Sequence, residues 1–146
     1  MSSISVSASI DISLATQISR MKILQQLVEL GWSYDDNGRV TYLPIGDNDD
    51  FNWQSECISV ERLLEILSEK DTRGELIGVV LTWENSNIGG HFLLRRNGTI
   101  TISLNINRRV INTVSSSKLT DITWYITRIV PVFDQVLESI SYEEHR

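Results

Sequence analysis

The acidic side chains of one short segment are the first candidates for chemistry. The segment GDNDDFNWQSE, residues 46–56, contains no Lys or Arg and places its carboxylates around a Phe and a Trp. Those carboxylates belong to Asp47, Asp49, Asp50 and Glu56. Three roles for this acidic loop are considered: a metal-binding loop, a pair of catalytic carboxylates, or a surface that meets a basic partner.

The first two roles require patterns that the acidic loop does not complete. Asp47 and Asp49 have the spacing of two EF-hand calcium ligands, but Asn52 stands where that loop needs glycine and Ile58 stands where it needs glutamate. Two carboxylates roughly 5 to 9 Å apart can act as acid and base in a glycosidase. A short acidic segment is too common to indicate that chemistry, so we expect neither metal binding nor catalysis here.

Side chains that could act as nucleophile or base give no stronger signal. His91 could form a nucleophilic site with Cys57 or Ser86, but we favour a histidine packed at a sheet edge, opposite Leu104. The single cysteine excludes an internal disulfide, and the only other histidine, His145, leaves no zinc ligand set. Gly-rich phosphate loops and the G-x-S-x-G and H-E-x-x-H motifs are absent from the sequence. We therefore expect no enzyme, no metal and no cofactor.

The negative charge is concentrated in one part of the chain. The formal net charge is −6. Residues 35–75 include eleven acidic and four basic residues, a balance of −7, whereas residues 76–146 include six acidic and seven basic, a balance of +1. Such a field repels phosphate backbones and attracts basic proteins, so we expect no nucleic-acid binding. Because no apolar run approaches the roughly 18 residues that span a bilayer and no signal peptide is recognisable, we expect a cytoplasmic protein without a membrane partner.

The N-terminal third is predicted to hold one helix and one strand. Residues 1–12 are small and polar, and are expected to be poorly ordered or to add an edge strand. Ser13 is expected to cap a helix over residues 14–30, which Gly31 ends. A short strand is predicted at residues 39–44, before the acidic loop.

A second helix is predicted to follow the acidic loop, with Ser59 as its N-cap. Its apolar residues recur at i, i+3, i+4 and i+7, which indicates one buried stripe. They are Val60, Leu63, Leu64 and Leu67. Its acidic residues lie one turn apart on one exposed line, where each neighbouring pair of like charges costs a few tenths of a kcal/mol. They are Glu61, Glu65 and Glu69.

The C-terminal half is predicted to begin with strands. Residues 76–83 form a nearly continuous apolar run of strand length, which predicts a central strand. Asn97 and Gly98 predict a type I′ hairpin, because this pair favours the positive φ angles of that turn. In its second strand, apolar residues from Ile100 to Ile106 alternate with polar ones, so one face is buried.

The last predicted element is a helix capped by Thr120 that extends to Ile140 and is kinked at Pro131. Together the elements predict one α+β domain over residues 1–146. Its expected architecture is a two-layer sandwich, in which an antiparallel sheet of about four strands packs against about three helices.

Trp53 is the aromatic residue most suggestive of binding. It stands among polar and acidic residues, and an aromatic ring within such a surface is typical of an interface hot spot. The alternative is that Phe51 and Trp53 anchor the loop to the body, and both hold if Phe51 is buried and Trp53 exposed. We predict that the acidic loop lies at the N-terminal end of the second helix. The predicted binding surface consists of Asp47, Asp49, Asp50, Trp53, Glu56, Glu61, Glu65 and Glu69.

A family resemblance supports a protein partner. The stretch GGHFLLRRNGTITISLNINRRV, followed by TDITWYITRIVP, resembles contact-dependent growth inhibition immunity proteins: a hairpin, an INR segment and a Trp-bearing helix. The resemblance covers roughly residues 76–137. It implies a protein that binds one cognate toxin domain, often a nuclease, and blocks it without chemistry of its own. A basic nuclease fits the acidic surface, and we expect a monomer before binding.

Other classes of protein remain open. Type III secretion chaperones are also small, acidic α+β proteins with a kinked last helix, but they act as dimers on an extended, mostly apolar effector segment. A stable dimer in solution would favour this alternative. An enzyme and an unassigned binding or structural role are the remaining alternatives.

Overall fold

The computed structural model describes residues 7–112 and 118–145. One antiparallel sheet of eight strands dominates it, accompanied by three short helices and a separate two-stranded hairpin. The strands are β1 (Ser7–Leu14), β2 (Trp32–Ser33), β3 (Val40–Tyr42), β4 (Gln54–Glu56), β5 (Ile77–Trp83), β6 (Gly89–Leu94), β7 (Thr99–Ile106), β8 (Val110–Asn112), β9 (Lys118–Thr120) and β10 (Leu137–His145). The helices are α1 (Arg20–Leu30), α2 (Val60–Thr72) and α3 (Ile122–Ile129), and a 3-10 turn covers Val130–Val132.

The sheet brings together strands from both halves of the chain. Its order is β10-β1-β7-β6-β5-β3-β4, and β2 pairs with β5 beside β3. β8 and β9 form the separate hairpin. The order places β1 between β10 and β7, so an N-terminal strand lies inside the sheet.

Alternation along the strands gives the sheet two different faces. On one face, Ile10 and Ile12 of β1 lie beside Ile102 and Ile100 of β7. This face joins the buried side chains of all three helices in one hydrophobic core. The second face carries the alternate residues, which are largely polar on β1, β7 and β10. The helices therefore cover only one face of the sheet.

The predicted sandwich of about four strands and three helices is wrong, because the main sheet has eight strands. The short strands β2 and β4 were not predicted, and two longer segments assigned elsewhere are also strands. β1 is neither poorly ordered from Ser7 onward nor an edge strand; residues 1–6 lie outside the described residues. Its apolar residues, Ala8, Ile10, Ile12 and Leu14, recur at the period of two that a half-buried strand requires. Their short polar neighbours made the segment resemble a loop. α1 accordingly begins only at Arg20, and Ser19 rather than Ser13 caps it.

The second misassigned segment is the C-terminal end of the predicted last helix. Asp121, not Thr120, is the N-cap of α3, and α3 ends at Ile129. Pro131 lies in the 3-10 turn that follows, because proline has no N–H to continue the helix. Beyond it the chain forms β10, in which Ile140 and Tyr142 alternate with serines and face Ile12 and Ile10 of β1.

Three predicted elements are confirmed, and the first is the short strand predicted at residues 39–44, which is β3 (Val40–Tyr42). α2 begins after Ser59, whose Oγ accepts a hydrogen bond from the backbone N–H of Arg62 at 3.1 Å. β5 is an interior strand between β6 and β3, as its continuous apolar run predicts. That residues 1–146 form a single domain stays a prediction.

The β6–β7 hairpin is present, but its turn is not type I′. The backbone N–H of Arg95 donates to the carbonyl of Thr99, and that of Gly98 donates to the carbonyl of Arg95. Gly98 alone of the turn residues has a positive φ, of 86°. This is a three-residue loop that ends in a glycine bulge. The extra residue shifts the register by one, so His91 lies opposite Ser103 rather than Leu104 and belongs to the second face of the sheet.

Candidate protein-binding surface

Asp47 organises the acidic loop from inside. It is buried, and its carboxylate accepts hydrogen bonds from the backbone N–H groups of Phe51 at 2.9 Å and Asn52 at 3.0 Å. Its carbonyl accepts a third from the N–H of Asp50 at 3.1 Å. Asp49 and Asp50 are exposed. Of the three loop aspartates, Asp47 therefore shapes the loop, and the other two present their charge to solvent.

The acidic loop lies near the C-terminal end of α2, so the prediction that it lies at the N-terminal end is wrong. Asp47 and Asp49 line a cavity of about 500 Å³ together with Lys70, Gly74 and Glu75. The physical reason is the strand β4, which carries the chain back along the sheet before α2 starts. α2 then runs back in the opposite direction, so its last turn lies beside the acidic loop.

Lys70 is the buried cation of this cavity. Its side chain is 1% exposed, its Nζ donates to the carbonyl of Pro44 at 2.8 Å, and Nζ lies 3.6 Å from Oε1 of Glu75. Burial lowers the pKa of Lys70, and the nearby carboxylates of Glu75 and Asp47 oppose that shift. Glu75 and Asp47 thus compensate the buried charge of Lys70, whereas Asp49 and Asp50 face solvent.

Phe51 and Trp53 have the opposite of their expected exposures. Phe51 is 48% exposed, whereas Trp53 is partly buried. Trp53 packs on the second face of the sheet, where its ring meets that of His91 edge to face with 4.5 Å between centroids. A Cβ on Gly78 would lie 2.9 Å from Cη2 of Trp53, so the ring sits directly over this glycine. Trp53 anchors the loop, and the expectation that Phe51 is buried and Trp53 exposed is wrong.

The acidic line of α2 is exposed as predicted from its spacing. Glu61, Glu65 and Glu69 are all exposed. Arg62 pairs with Glu65 at 3.1 Å, and Arg73 pairs with Glu69 at 2.9 Å. Within the described residues, Glu61 forms no such ion pair. The negative charge of α2 is therefore least compensated at its first turn.

Glu56 differs from the α2 carboxylates. It lies on the edge strand β4, is partly buried, and accepts a hydrogen bond from the Tyr42 hydroxyl at 3.1 Å. Burial, followed by this hydrogen bond, raises the pKa of Tyr42. The eight predicted residues thus divide into groups: Glu61 and Glu65 towards the N-terminal end of α2, Asp49, Asp50 and Glu69 nearer its other end, and Asp47, Trp53 and Glu56 engaged within the fold.

An apolar groove between α1 and α2, called here the α1–α2 groove, was not predicted from the sequence. It has a volume of about 840 Å³. The lining residues are Met21, Gln25, Val28, Gly31, Trp32, Ser33, Tyr34, Val60, Leu64, Ser68 and Glu84. Val60 and Leu64, assigned to the buried stripe of α2, are instead 42% and 36% exposed, and Ile66 takes the buried place. The available signals were an apolar stripe on α2 that is wider than one packing contact and, on α1, the apolar residues Met21 and Val28 two helical turns apart on one side of the helix.

The two helices that form the α1–α2 groove run antiparallel. Nε of Arg20, in the first turn of α1, lies 2.9 Å from Oδ1 of Asp71, in the last turn of α2. One end of the groove therefore lies near Met21 and Ser68. The other end lies where α1 finishes and α2 starts.

The candidate nucleophilic residues are not brought together by hydrogen bonds. Nδ1 of His91 donates to Oδ1 of Asn105 at 2.8 Å. Cys57 contacts Arg39, and Ser86 donates to the carbonyl of Trp83. His91 is in an interior strand, so its expected place at a sheet edge is wrong. In the described ranges, no group of three or more His, Cys, Asp or Glu side chains has an arrangement suited to a metal ion.

Comparisons with known proteins return no relative. No protein-family model matches the chain, and no curated protein or solved structure is significantly similar to it. In the part of the chain that the structure describes, no helix combines the length and apolar character needed to cross a membrane.

Proposed function

We propose that this protein binds a basic protein partner through the exposed side of α2 and inhibits that partner without catalysis. The observation that carries the proposal is the position of exposed Glu61 and Glu65 directly beside exposed Val60 and Leu64. Arg62 pairs with Glu65, so Glu61 carries the uncompensated charge of this group. A specific interface uses apolar contact area next to such charge: the apolar part contributes affinity, and the charge steers the encounter.

The arrangement is unfavourable for the free protein. Carboxylates one helical turn apart repel each other by a few tenths of a kcal/mol per pair, and exposed apolar side chains gain nothing from contact with water. A partner that supplies Lys or Arg side chains and an apolar surface reverses both effects. Asp49 and Asp50 are exposed near the other end of α2 and add negative charge there, next to Arg95 and Arg96, which line the same cavity as Asp49.

The proposed partner is a toxin domain, and the proposed role is that of an immunity protein in the cytoplasm. The resemblance of residues 76–137 to contact-dependent growth inhibition immunity proteins supports this role. The charge balance supports it independently, because a nuclease must be basic to hold phosphates and an acidic inhibitor offers it carboxylates instead. No cofactor is needed for inhibition by occlusion, and a monomer is sufficient for it.

Co-expression tests this proposal. If the gene immediately upstream encodes a large secreted protein, a toxin domain of that protein is the one to co-express, and growth is measured with and without the present chain. We expect the wild-type chain to restore growth and Glu61→Lys with Glu65→Lys to fail. Glu138→Lys with Glu143→Lys is the matched control, because it makes the same charge change at exposed positions of β10. Growth arrest in the presence of the wild-type chain contradicts the proposal.

The α1–α2 groove favours a second candidate function, a secretion chaperone that binds an apolar segment of an effector. Such a chaperone would act as a dimer. Light scattering of the purified chain separates the two candidates, since a stable dimer at micromolar concentration supports the chaperone and a monomer supports the immunity protein.

A further inference from the structure

The α1–α2 groove has an apolar wall on each side. On α1, Met21 and Val28 line it, and on α2 Val60 and Leu64 do so. Three of these residues are more than a third exposed: Val28 is 39% exposed, Val60 42% and Leu64 36%. The walls are helices whose interior backbone groups are already hydrogen-bonded, so an occupant gains no backbone pairing from them.

The groove floor contains one polar group without a described partner. Tyr34 lines the groove and is 6% exposed, and its hydroxyl forms no hydrogen bond with any residue in the described ranges. Burial raises the pKa of Tyr34 to about 12, so the hydroxyl is neutral and able to donate at physiological pH. This hydroxyl is not among the fully buried polar atoms that lack a partner, so water can bond it in the free protein, and a polar group of an occupant can replace that water.

The two ends of the groove differ in charge. At the end where α1 finishes, Glu84 lines the groove, and its backbone N–H bonds to the carbonyl of Gly31. At a rotation of about 100° per residue, Glu61 follows Val60 and Glu29 follows Val28 around their helices. Glu84 therefore lines this end, and Glu29 and Glu61 are exposed next to the wall residues Val28 and Val60. At the other end, Lys22 follows Met21 and Glu69 follows Ser68 in the same way, and Glu69 is already paired with Arg73, so this end carries less uncompensated negative charge.

We propose that the α1–α2 groove binds an amphipathic helix of the partner, with Lys or Arg residues of that helix at the end near Glu84. The inference rests on the proposed function and adds the shape and polarity of the partner's contact. A helix is the form that fits, because it satisfies its own backbone groups and brings side chains at i, i+3, i+4 and i+7 into an apolar groove. α1 has 11 residues, about 16 Å, so three turns of partner helix match the length of the groove wall.

A peptide selection tests the proposal with a defined probe. A display library of peptides of about 16 residues, roughly four helical turns, is selected on the wild-type chain alone, and the enriched peptides are then tested on Leu64→Asp. Leu119→Asp is the matched control: Leu119 is 37% exposed and lies on β9, outside the groove. We expect enriched peptides to carry an apolar stripe with Lys or Arg at one end. They should bind Leu119→Asp like wild type and Leu64→Asp at least about tenfold more weakly.

Fluorine NMR of protein labelled with fluorotryptophan locates the bound peptide. The resonance of Trp32, in the groove floor, should shift, whereas that of Trp53, on the other face of the sheet, should not. Replacing the basic residues of an enriched peptide by Glu should weaken binding at least about tenfold. If the peptides bind Leu64→Asp as well as wild type, or if only the Trp53 resonance shifts, the α1–α2 groove is not their binding site. Enrichment of acidic peptides would overturn its charge preference.

The growth assay separates a failure of this inference from a failure of the proposed function. Loss of protection with Leu64→Asp but not with Leu119→Asp supports the groove as the contact. Protection that survives Leu64→Asp and is lost with Glu61→Lys and Glu65→Lys overturns the groove and leaves the function standing. If the wild-type chain gives no protection at all, the function fails, and the peptide selection alone decides on the groove.

Discussion

Arg20 and Asp71 connect the first turn of α1 to the last turn of α2, with 2.9 Å between Nε and Oδ1. The Arg20 side chain is only 7% exposed, and its Nη1 also donates to the carbonyls of Glu75 at 2.6 Å and Leu94 at 3.1 Å. One guanidinium therefore fixes two helices against the sheet. It also joins the start of α1 to the end of α2, so the two antiparallel helices are held together at one end of the α1–α2 groove.

Arg20→Lys should destabilise the fold by about 2 to 3 kcal/mol, although it keeps the charge. A single ammonium cannot replace the fork that reaches Asp71 and two carbonyls, and the lost bonds leave polar groups partly buried. Asp71→Asn should cost less, because Asp71 is 35% exposed and solvent already screens its charge. Urea unfolding measures both. An Arg20→Lys variant as stable as wild type would show that the guanidinium geometry is unimportant.

Trp53→Ala should lower the free energy of unfolding by about 1 to 3 kcal/mol, since the ring packs over Gly78 and against His91. Phe51→Ala should change it by less than about 0.5 kcal/mol, because Phe51 is 48% exposed. Chemical denaturation of the two variants in parallel is the measurement. A larger loss for Phe51→Ala would mean that Phe51, and not Trp53, anchors the acidic loop.

Gly78→Ala should cost about 1 to 3 kcal/mol through overpacking. The added methyl group would lie 2.6 Å from Cδ1 of Leu43, on the crowded part of the second sheet face. Leu43→Ala removes the opposing atoms, so Gly78→Ala should cost at least about 1 kcal/mol less in that background. A double-mutant cycle by urea unfolding gives this coupling, and strict additivity would contradict the contact.

Tyr34 should make stability fall at alkaline pH. Its pKa is raised from 10.0 to about 12 by burial, so above pH 10 the unfolded state loses this proton first and the folded state keeps it. The unfolded state then binds fewer protons, and stability decreases as pH rises from 10 towards 12, by about 2 to 3 kcal/mol in total. The difference between wild type and Tyr34→Phe should be constant up to pH 9 and then shift in favour of Tyr34→Phe. Urea unfolding between about pH 8 and pH 11.5 measures it, and a pH-independent difference would exclude a desolvated Tyr34.

The elements predicted correctly are those whose signals lie within a few residues. Ser59 and the apolar spacing after it define α2, and the continuous apolar run from Ile77 defines β5. β1 carried an equally regular alternation, but its serines and aspartate concealed it. β10 was hidden for another reason: Ile140 suits a helical stripe begun at Ile122 as well as a strand. Only pairing with β1 distinguishes the two.

The candidate surface was predictable in composition but not in placement. The exposed carboxylates of α2 follow from helical spacing alone. The position of the acidic loop depends on β4, a strand of three residues with no apolar pattern. The burial of Trp53 depends on Gly78 and His91, which are distant in sequence and meet the ring only through the sheet. The α1–α2 groove requires two helices to be neighbours, and the sequence of neither helix contains that information.

The pairing of β1 with β10 has a consequence for how fast the protein folds. Ile12 pairs with Ile140, about 130 residues away, and Ile10 pairs with Ile102, about 90 residues away. Contacts between such distant residues require closure of very long loops, and proteins rich in them have high contact order and fold in milliseconds to seconds. Until β10 docks, β1 has an unpaired edge. Refolding should therefore be slow, and its intermediates should aggregate more readily than the native state.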